Sequence, residues 1–115
     1  MIPFNNRFHG HSSLAYVYKN GQAIRSHLFV LKFIANPHRK ASRVAVVVSK
    51  KVLKSAVRRN RIRRKIYENI HHQLSNMNRV YDIVIIVSSG ELLNTPYNEI
   101  SDQISQMFDQ ANVLK

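Results

Sequence analysis

Ile62, Ile66, Ile70 and Leu74 recur every fourth residue inside the most basic stretch of the chain. An α-helix advances about 100° per residue, so these four side chains form one slowly drifting stripe. Such a stripe must dock on an apolar surface, and the spacing predicts a long helix from Ala56 to about Leu74. With Ile62 at zero, Arg59 falls at about +60°, Arg63 at about +100° and Asn60 at about +160°. On the same geometry Arg58, Lys65 and Arg61 fall at about −40°, −60° and −100°, and Arg64 points almost straight away from the seam. The helix therefore carries a basic flank on each side of its buried stripe, so one helix could touch two phosphate tracks.

The surface that receives the stripe is legible as short apolar runs. Leu28 to Ala35 is rich in β-branched and aromatic residues and reads as a strand, closed by the turn signal Asn36-Pro37-His38. Val44 to Val48 and Asp82 to Val87 lack polar alternation and read as strands covered on both faces. A short helix with Leu14, Val17 and Tyr18 is expected after a cap at Ser12 or Ser13, with Gly21 as its stop. Asn94-Thr95-Pro96 is expected to start a last helix, the Thr95 hydroxyl capping it and Pro96 in its first turn. Its apolar side is Tyr97, Ile100, Ile104, Met107, Phe108 and Ala111. Residues 1 to 10 read as a loose arm. The sum is an α+β sandwich in one domain spanning 1–115, a small sheet with helices packed on it.

Charge narrows the function. Residues 1 to 67 hold 16 Lys and Arg and no acid, whereas residues 68 to 115 hold two and six acids. Such a domain repels itself unless a polyanion neutralises it. A merely solubilising surface is usually of mixed sign. An anionic membrane is a poor match, because the basic run has no large apolar residues on a free face. Nucleic acid is the partner that remains. A guanidinium offers a planar fork of donors matched to phosphate oxygens and stays charged at any working pH. Asn60 offers a donor and an acceptor, which suit a base edge, a 2′-hydroxyl or a metal-bound water.

Other chemistries are poorly supplied. The chain has no cysteine, which excludes disulfides and thiolate metal sites and is compatible with a reducing cytoplasm. Glu68, Asp82, Glu91, Glu99, Asp102 and Asp109 are scattered, and Glu99 with Asp102 reads as a solvated helix face rather than a two-metal nuclease site. His9-Gly10-His11 has neither Cys nor acids near it to complete a metal site, and His71-His72 reads as a surface pair. No phosphate loop or nucleophile elbow occurs. No apolar run follows a charged start as in a signal peptide. The longest apolar stretches, Val44 to Val48 and Ile83 to Val87, are far short of the roughly 20 residues of a membrane span.

The run Arg43-Val44-Ala45-Val46-Val47-Val48-Ser49-Lys50-Lys51, followed by Ala56-Val57-Arg58-Arg59-Asn60-Arg61-Ile62-Arg63-Arg64, resembles the protein subunit of bacterial ribonuclease P. A bare Arg-Asn-Arg would be weak; the strand, Ser-Lys-Lys and helix at this separation form a specific combination. The similarity extends to Leu14, Tyr18, Lys19 and Gly21 before the strand Phe29-Val30-Leu31, and to Asp82-Ile83-Val84-Ile85-Ile86. It implies a four-stranded sheet with three helices and a left-handed βαβ crossover around the Arg-Asn-Arg helix, the ribosomal protein S5 domain 2-like fold. That hand departs from the right-handed rule for parallel crossovers. In the family a large RNA, using bound Mg2+, removes the 5′ leader of precursor tRNA. The protein, one copy per RNA, binds that RNA and the leader and has no catalytic residue of its own.

Carried over residue by residue, the resemblance gives RNA-binding roles to Lys50, Lys51, Lys54, Arg58, Arg59, Asn60, Arg61, Arg63, Arg64 and Lys65. Arg61 and Arg64 match positions facing the RNA subunit, while Arg59, Asn60 and Arg63 match positions near the leader and the metal-rich core of the RNA. A leader cleft between the first helix and the sheet is implied, with Leu14, Tyr18, Val30, Lys32 and Tyr67 beside Arg59, Asn60 and Arg63. The chain departs from the family pattern in several places: aromatics are frequent at Leu14 and Lys32, a basic residue at Tyr67, Gly at Ala45 and basic residues at Ser88-Ser89. Read from composition alone, the chain is equally compatible with a ribosomal-protein-like binder of structured RNA with no enzymatic role.

Overall fold

The computed structural model describes residues 11–37, 41–74 and 76–114. The arm expected over residues 1 to 10, and with it His9 and Gly10 of the His9-Gly10-His11 group, lies outside the described residues, as does His38 of the expected turn. The elements in chain order are α1 (His11–Asn20), β1 (Gln22–Arg25), β2 (Phe29–Ala35), β3 (Arg43–Val47), α2 (Ala56–Leu74), β4 (Tyr81–Val87), a 3₁₀ turn (Gly90–Asn94) and α3 (Tyr97–Ala111). The strands form one mixed sheet in the order β1-β2-β4-β3. β1 and β2 pair antiparallel, as do β2 and β4, whereas β3 runs parallel to β4 with α2 as the connection. The α+β architecture with three helices and four strands is as expected from the sequence.

Strand alternation gives each face of the sheet its own core. Phe29, Leu31 and Phe33 of β2, Val44 and Val46 of β3, and Ile83, Ile85 and Val87 of β4 share the larger cluster with α2 and α3. Ile62, Ile66 and Ile70 are fully buried there, each contributing roughly 1.5–3 kcal/mol by burial. Ile100, Ile104, Met107 and Phe108 bring α3 into the same cluster. The intervening residues Val84 and Ala45 face the other side, where Val17 and Leu14 of α1 cover them beside Ile34, Val47 and Ile86. β4 and the edge strand β3 thus lack alternation because both their faces are covered, one by a helix pair and one by a single short helix, whereas β2 alternates.

Two helix starts differ from expectation, whereas the Gly21 stop is as expected. α1 already includes His11, so Ser12 and Ser13 lie within the helix and do not cap it. Thr95 does not cap α3: its hydroxyl donates back to the Glu91 carbonyl at 2.8 Å, closing the 3₁₀ turn, and Pro96 occupies the cap position with no side-chain bond. α1 ends where Gly21 N–H donates to the Val17 carbonyl at 2.8 Å. A Cβ at Gly21 would lie 2.6 Å from the Val17 oxygen and 2.9 Å from the Phe33 oxygen, so α1 meets β2 at a backbone approach only glycine permits.

Candidate nucleic-acid interface

Ser55 opens α2 as its cap, its hydroxyl accepting the Arg58 N–H at 3.3 Å. From there the two basic flanks meet different neighbours. On the first, Arg59 Nη1 donates to the Leu53 and Lys54 carbonyls at 2.9 and 2.8 Å. Arg63 Nη1 donates to Asn60 Oδ1 at 2.6 Å. One turn on, the Tyr67 hydroxyl accepts the Val46 N–H of edge strand β3 at 3.2 Å. On the second flank, Lys65 Nζ donates to the Leu93 carbonyl of the 3₁₀ turn at 3.2 Å. Arg58, Arg61 and Arg64 are exposed. The flanks read from helical spacing are therefore physically separate, one along β3 and the other beside the 3₁₀ turn.

Among the described residues, no Lys or Arg of α2 pairs with a carboxylate; the ion pairs are His27 with Glu91 and Arg43 with Asp82. Lys50, Lys51 and Lys54 stand exposed on the turn between β3 and α2. That turn is held by Val52 and Leu53 N–H groups donating to the Ser49 carbonyl at 3.1 and 3.2 Å, and by Arg59 from the helix. A cationic surface built this way has its neutralising anions elsewhere, on a ligand.

The opposite face of the sheet carries a second surface. Tyr18, 38% exposed, stands over β2 from α1. Lys32 Nζ lies 5.4 Å from the Tyr18 ring centroid and donates to the Tyr18 carbonyl at 3.2 Å. Burial raises the Tyr18 phenol above its ordinary value. Cross-strand register sets Arg25, Val30, Ile86 and Val47 in one row on this face, only partly covered by α1. Leu14, Tyr18, Val30 and Lys32 are thus brought together as expected, although Leu14 also packs into the small core under α1. Arg25, Ile86 and Val47 were not singled out in the sequence; they are found only once the strand register is known. Tyr67, like Arg59, Asn60 and Arg63, stands on α2 and so across the sheet from Tyr18 and Lys32; it packs against the core shared by α2 and α3, its hydroxyl accepting from β3.

Among the described residues, no three His, Asp or Glu side chains are placed to hold a metal ion, and none of the helices is long and apolar enough to cross a membrane. The chemistry on offer is charge, hydrogen-bond donors and a partly apolar cleft.

Comparisons with known proteins agree with that chemistry. The family model described as Ribonuclease P matches residues 2–112. The ribonuclease P protein component of Pseudanabaena sp. (strain PCC 6903) is 32% identical, covering 99% of this chain and 97% of its own. That of Clostridium acetobutylicum is 33% identical over 95% of this chain and 91% of its own. The solved RNase P protein of Staphylococcus aureus superposes with a TM-score of 0.84 at 25% identity, covering 96% of this chain and 98% of that one. The RNase P protein of Thermotoga maritima shares the fold with a TM-score of 0.79 at 22% identity, over 90% and 96% of the two chains. With cations unmatched by acids along both sides of α2, and relatives matched over nearly their full length, the chain belongs to the ribonuclease P protein family, the RNA-binding subunit of that endoribonuclease.

Proposed function

We propose that the two surfaces divide the RNA partners of the protein, catalytic RNA and substrate. The α2 flank with Arg58, Arg61 and Lys65, together with Arg64 and the turn lysines Lys50, Lys51 and Lys54, binds the ribonuclease P RNA. The other flank, with Arg59, Asn60 and Arg63, and the α1 face with Leu14, Tyr18, Val30 and Lys32, receive the 5′ leader of precursor tRNA. Hydrolysis is carried by the RNA and its Mg2+. The observation that carries this reading is the run of α2 cations with no carboxylate partner. The half-buried row Val30, Ile86 and Val47 beside Lys32 on the α1 face supplies the place for a single strand.

The protein's donor set does not fit a magnesium ion. Mg2+ takes hard oxygen ligands, and α2 offers nitrogen cations that repel it. The Asn60 carbonyl oxygen already accepts from Arg63. The metal therefore belongs to the RNA, and the protein acts by neutralising phosphate repulsion and holding the leader in place. The family resemblance supports one protein per RNA, and a chain without cysteine is compatible with a reducing cytoplasm.

Reconstitution tests the reading. Protein, a bacterial ribonuclease P RNA and precursor tRNA are mixed at low magnesium, with each component omitted in turn. Leader removal that needs both protein and RNA is expected. Cleavage by the protein alone would assign the chemistry to its side chains. No effect of the protein on the RNA's activity would make it a structured-RNA binder without a part in catalysis.

A further inference from the structure

Resting on the leader-cleft reading, the geometry points to Lys32 as a specificity-determining residue: its ammonium occupies the Tyr18 ring face, so the cleft grips the leader's phosphate backbone and is indifferent to its bases. The ammonium is fixed at both ends. Its stem rises from the middle of the sheet, where Lys32 pairs with Ala23 on one side and Val84 on the other. Its head donates to the Tyr18 carbonyl at 3.2 Å, one of the last carbonyls of α1, which lack helical donors and carry the negative end of the helix dipole. The same nitrogen lies 5.4 Å from the Tyr18 ring centroid, within cation–π range. A base inserted between them would need about 3.5 Å on each side, about 7 Å in all. The gap is too small, and opening it breaks the carbonyl bond and the cation–π contact together.

The strands present no aromatic side chain on this face beside Tyr18. Phe29, Phe33 and Tyr81 belong to the opposite face, and the row next to Lys32 is Val30, Ile86 and Val47. The charged groups around the cleft are cations: Lys32 itself, Arg25 opposite Val30, and Lys19 at the end of α1. Asp82, the acid on this face of β4, is bound by Arg43 and Asn36. An ammonium has three N–H donors. One serves the Tyr18 carbonyl, leaving two for phosphate oxygens of a passing strand.

The test uses the reconstituted holoenzyme and measures affinity for precursor tRNA relative to mature tRNA. Leaders carry either abasic sites or neutral methylphosphonate linkages, placed one position at a time. For the unaltered protein, abasic sites are expected to change the ratio by less than about twofold, against the roughly tenfold loss that a stacked base would give. One neutral linkage should lower it at least about fivefold and flatten the salt dependence by about 0.7 in log–log slope. Lys32→Met, which keeps the stem and removes the charge, should abolish that linkage sensitivity. Lys32→Phe should replace it with sensitivity to an abasic site. Affinity for the RNA subunit alone reports that both variants are folded. Abasic sites that weaken the unaltered protein as much as neutral linkages do, or unchanged linkage sensitivity in Lys32→Met, would overturn the assignment. Equal binding of precursor and mature tRNA by the unaltered holoenzyme would instead overturn the cleft reading, and this assignment with it.

Discussion

Asp82 is the buried acid of the sheet, and Arg43 grips it with both ends of its fork: Nε to Oδ1 and Nη2 to Oδ2, each at 2.8 Å, with Asn36 Nδ2 donating to Oδ2 at 2.8 Å. The hydrogen bond to Asp82 raises the Arg43 pKa, outweighing the burial that acts the other way. A raised value means the pair's contribution is present below the unfolded pKa and is lost only as pH climbs through the folded one, in strong alkali. Arg43 thus counts toward the chain's positive charge without being offered to RNA. Arg43→Ala leaves the carboxylate buried without its cation and is expected to cost about 3–5 kcal/mol in urea unfolding, while Arg43→Met with Asp82→Leu recovers most of it. A loss under about 1 kcal/mol for the single change would mean the fork is not coupled to the fold. Arg59 carries the same lesson. Its spacing places it on a flank, but only the structure shows its guanidinium bracing the Leu53 and Lys54 carbonyls. Arg59→Ala is therefore expected to raise amide hydrogen exchange at Val52 and Leu53 by about tenfold, the loss of a charge-assisted bond worth roughly 1.5 kcal/mol. Unchanged exchange would show that this arginine does not hold the turn. Sequence spacing reveals which way a side chain leaves a helix; it does not reveal which carbonyl waits there.

Among the elements, α2 was legible because the isoleucine stripe runs on with no glycine or proline until after Leu74; its Ser55 cap emerges only in the structure. β1 was not. Three of the four residues of Gln22–Arg25 are exposed, so no buried face marks it, and it exists through its register with β2. The 3₁₀ turn was missed for a related reason: the Thr95 hydroxyl that reads as a cap for α3 bonds backward, to Glu91. The cleft row Val30–Ile86–Val47 was only half visible, because β4 reads as uniformly apolar until its two neighbours show which residues face α1. What spacing did establish is that α2 has two flanks, and their separation has a measurable consequence. Arg61→Ala is expected to weaken affinity for the RNA subunit by about 1–2 kcal/mol, a charge-assisted contact, with the preference for leader-bearing substrate retained. Arg63→Ala is expected to lower that preference by a similar amount, with affinity for the RNA subunit changed less. Filter binding with the RNA alone and competition between precursor and mature tRNA separate the two. Equal effects of both changes in both assays would show that the flanks are one surface.

For the whole molecule, the segregation of charge along the sequence becomes segregation in space. The cationic part supplies α1, the first three strands and most of α2; the acidic part supplies β4, the 3₁₀ turn and α3. On α3 the exposed residues include Asn98, Glu99, Asp102, Gln106, Asp109 and Gln110. A polyanion is repelled from that helix and drawn to α2 and the α1 face, so the protein meets RNA in one orientation before any close contact forms. Nine Lys and Arg lie between Lys50 and Lys65. If about six neutralise phosphates of helical RNA, log affinity should fall with log salt at a slope of about −5, losing about three orders of magnitude between 50 and 200 mM. Reversing Glu99, Asp102 and Asp109 to lysine should leave affinity for the ribonuclease P RNA within about twofold, since α3 lies off the contact surface. Binding to unstructured poly(U) should rise several-fold because the guarded face is opened to any phosphate chain. A slope shallower than about −3 would mean that fewer than about four phosphates are neutralised. The exposed cations of α2 and the preceding turn would then not be the surface that holds the RNA.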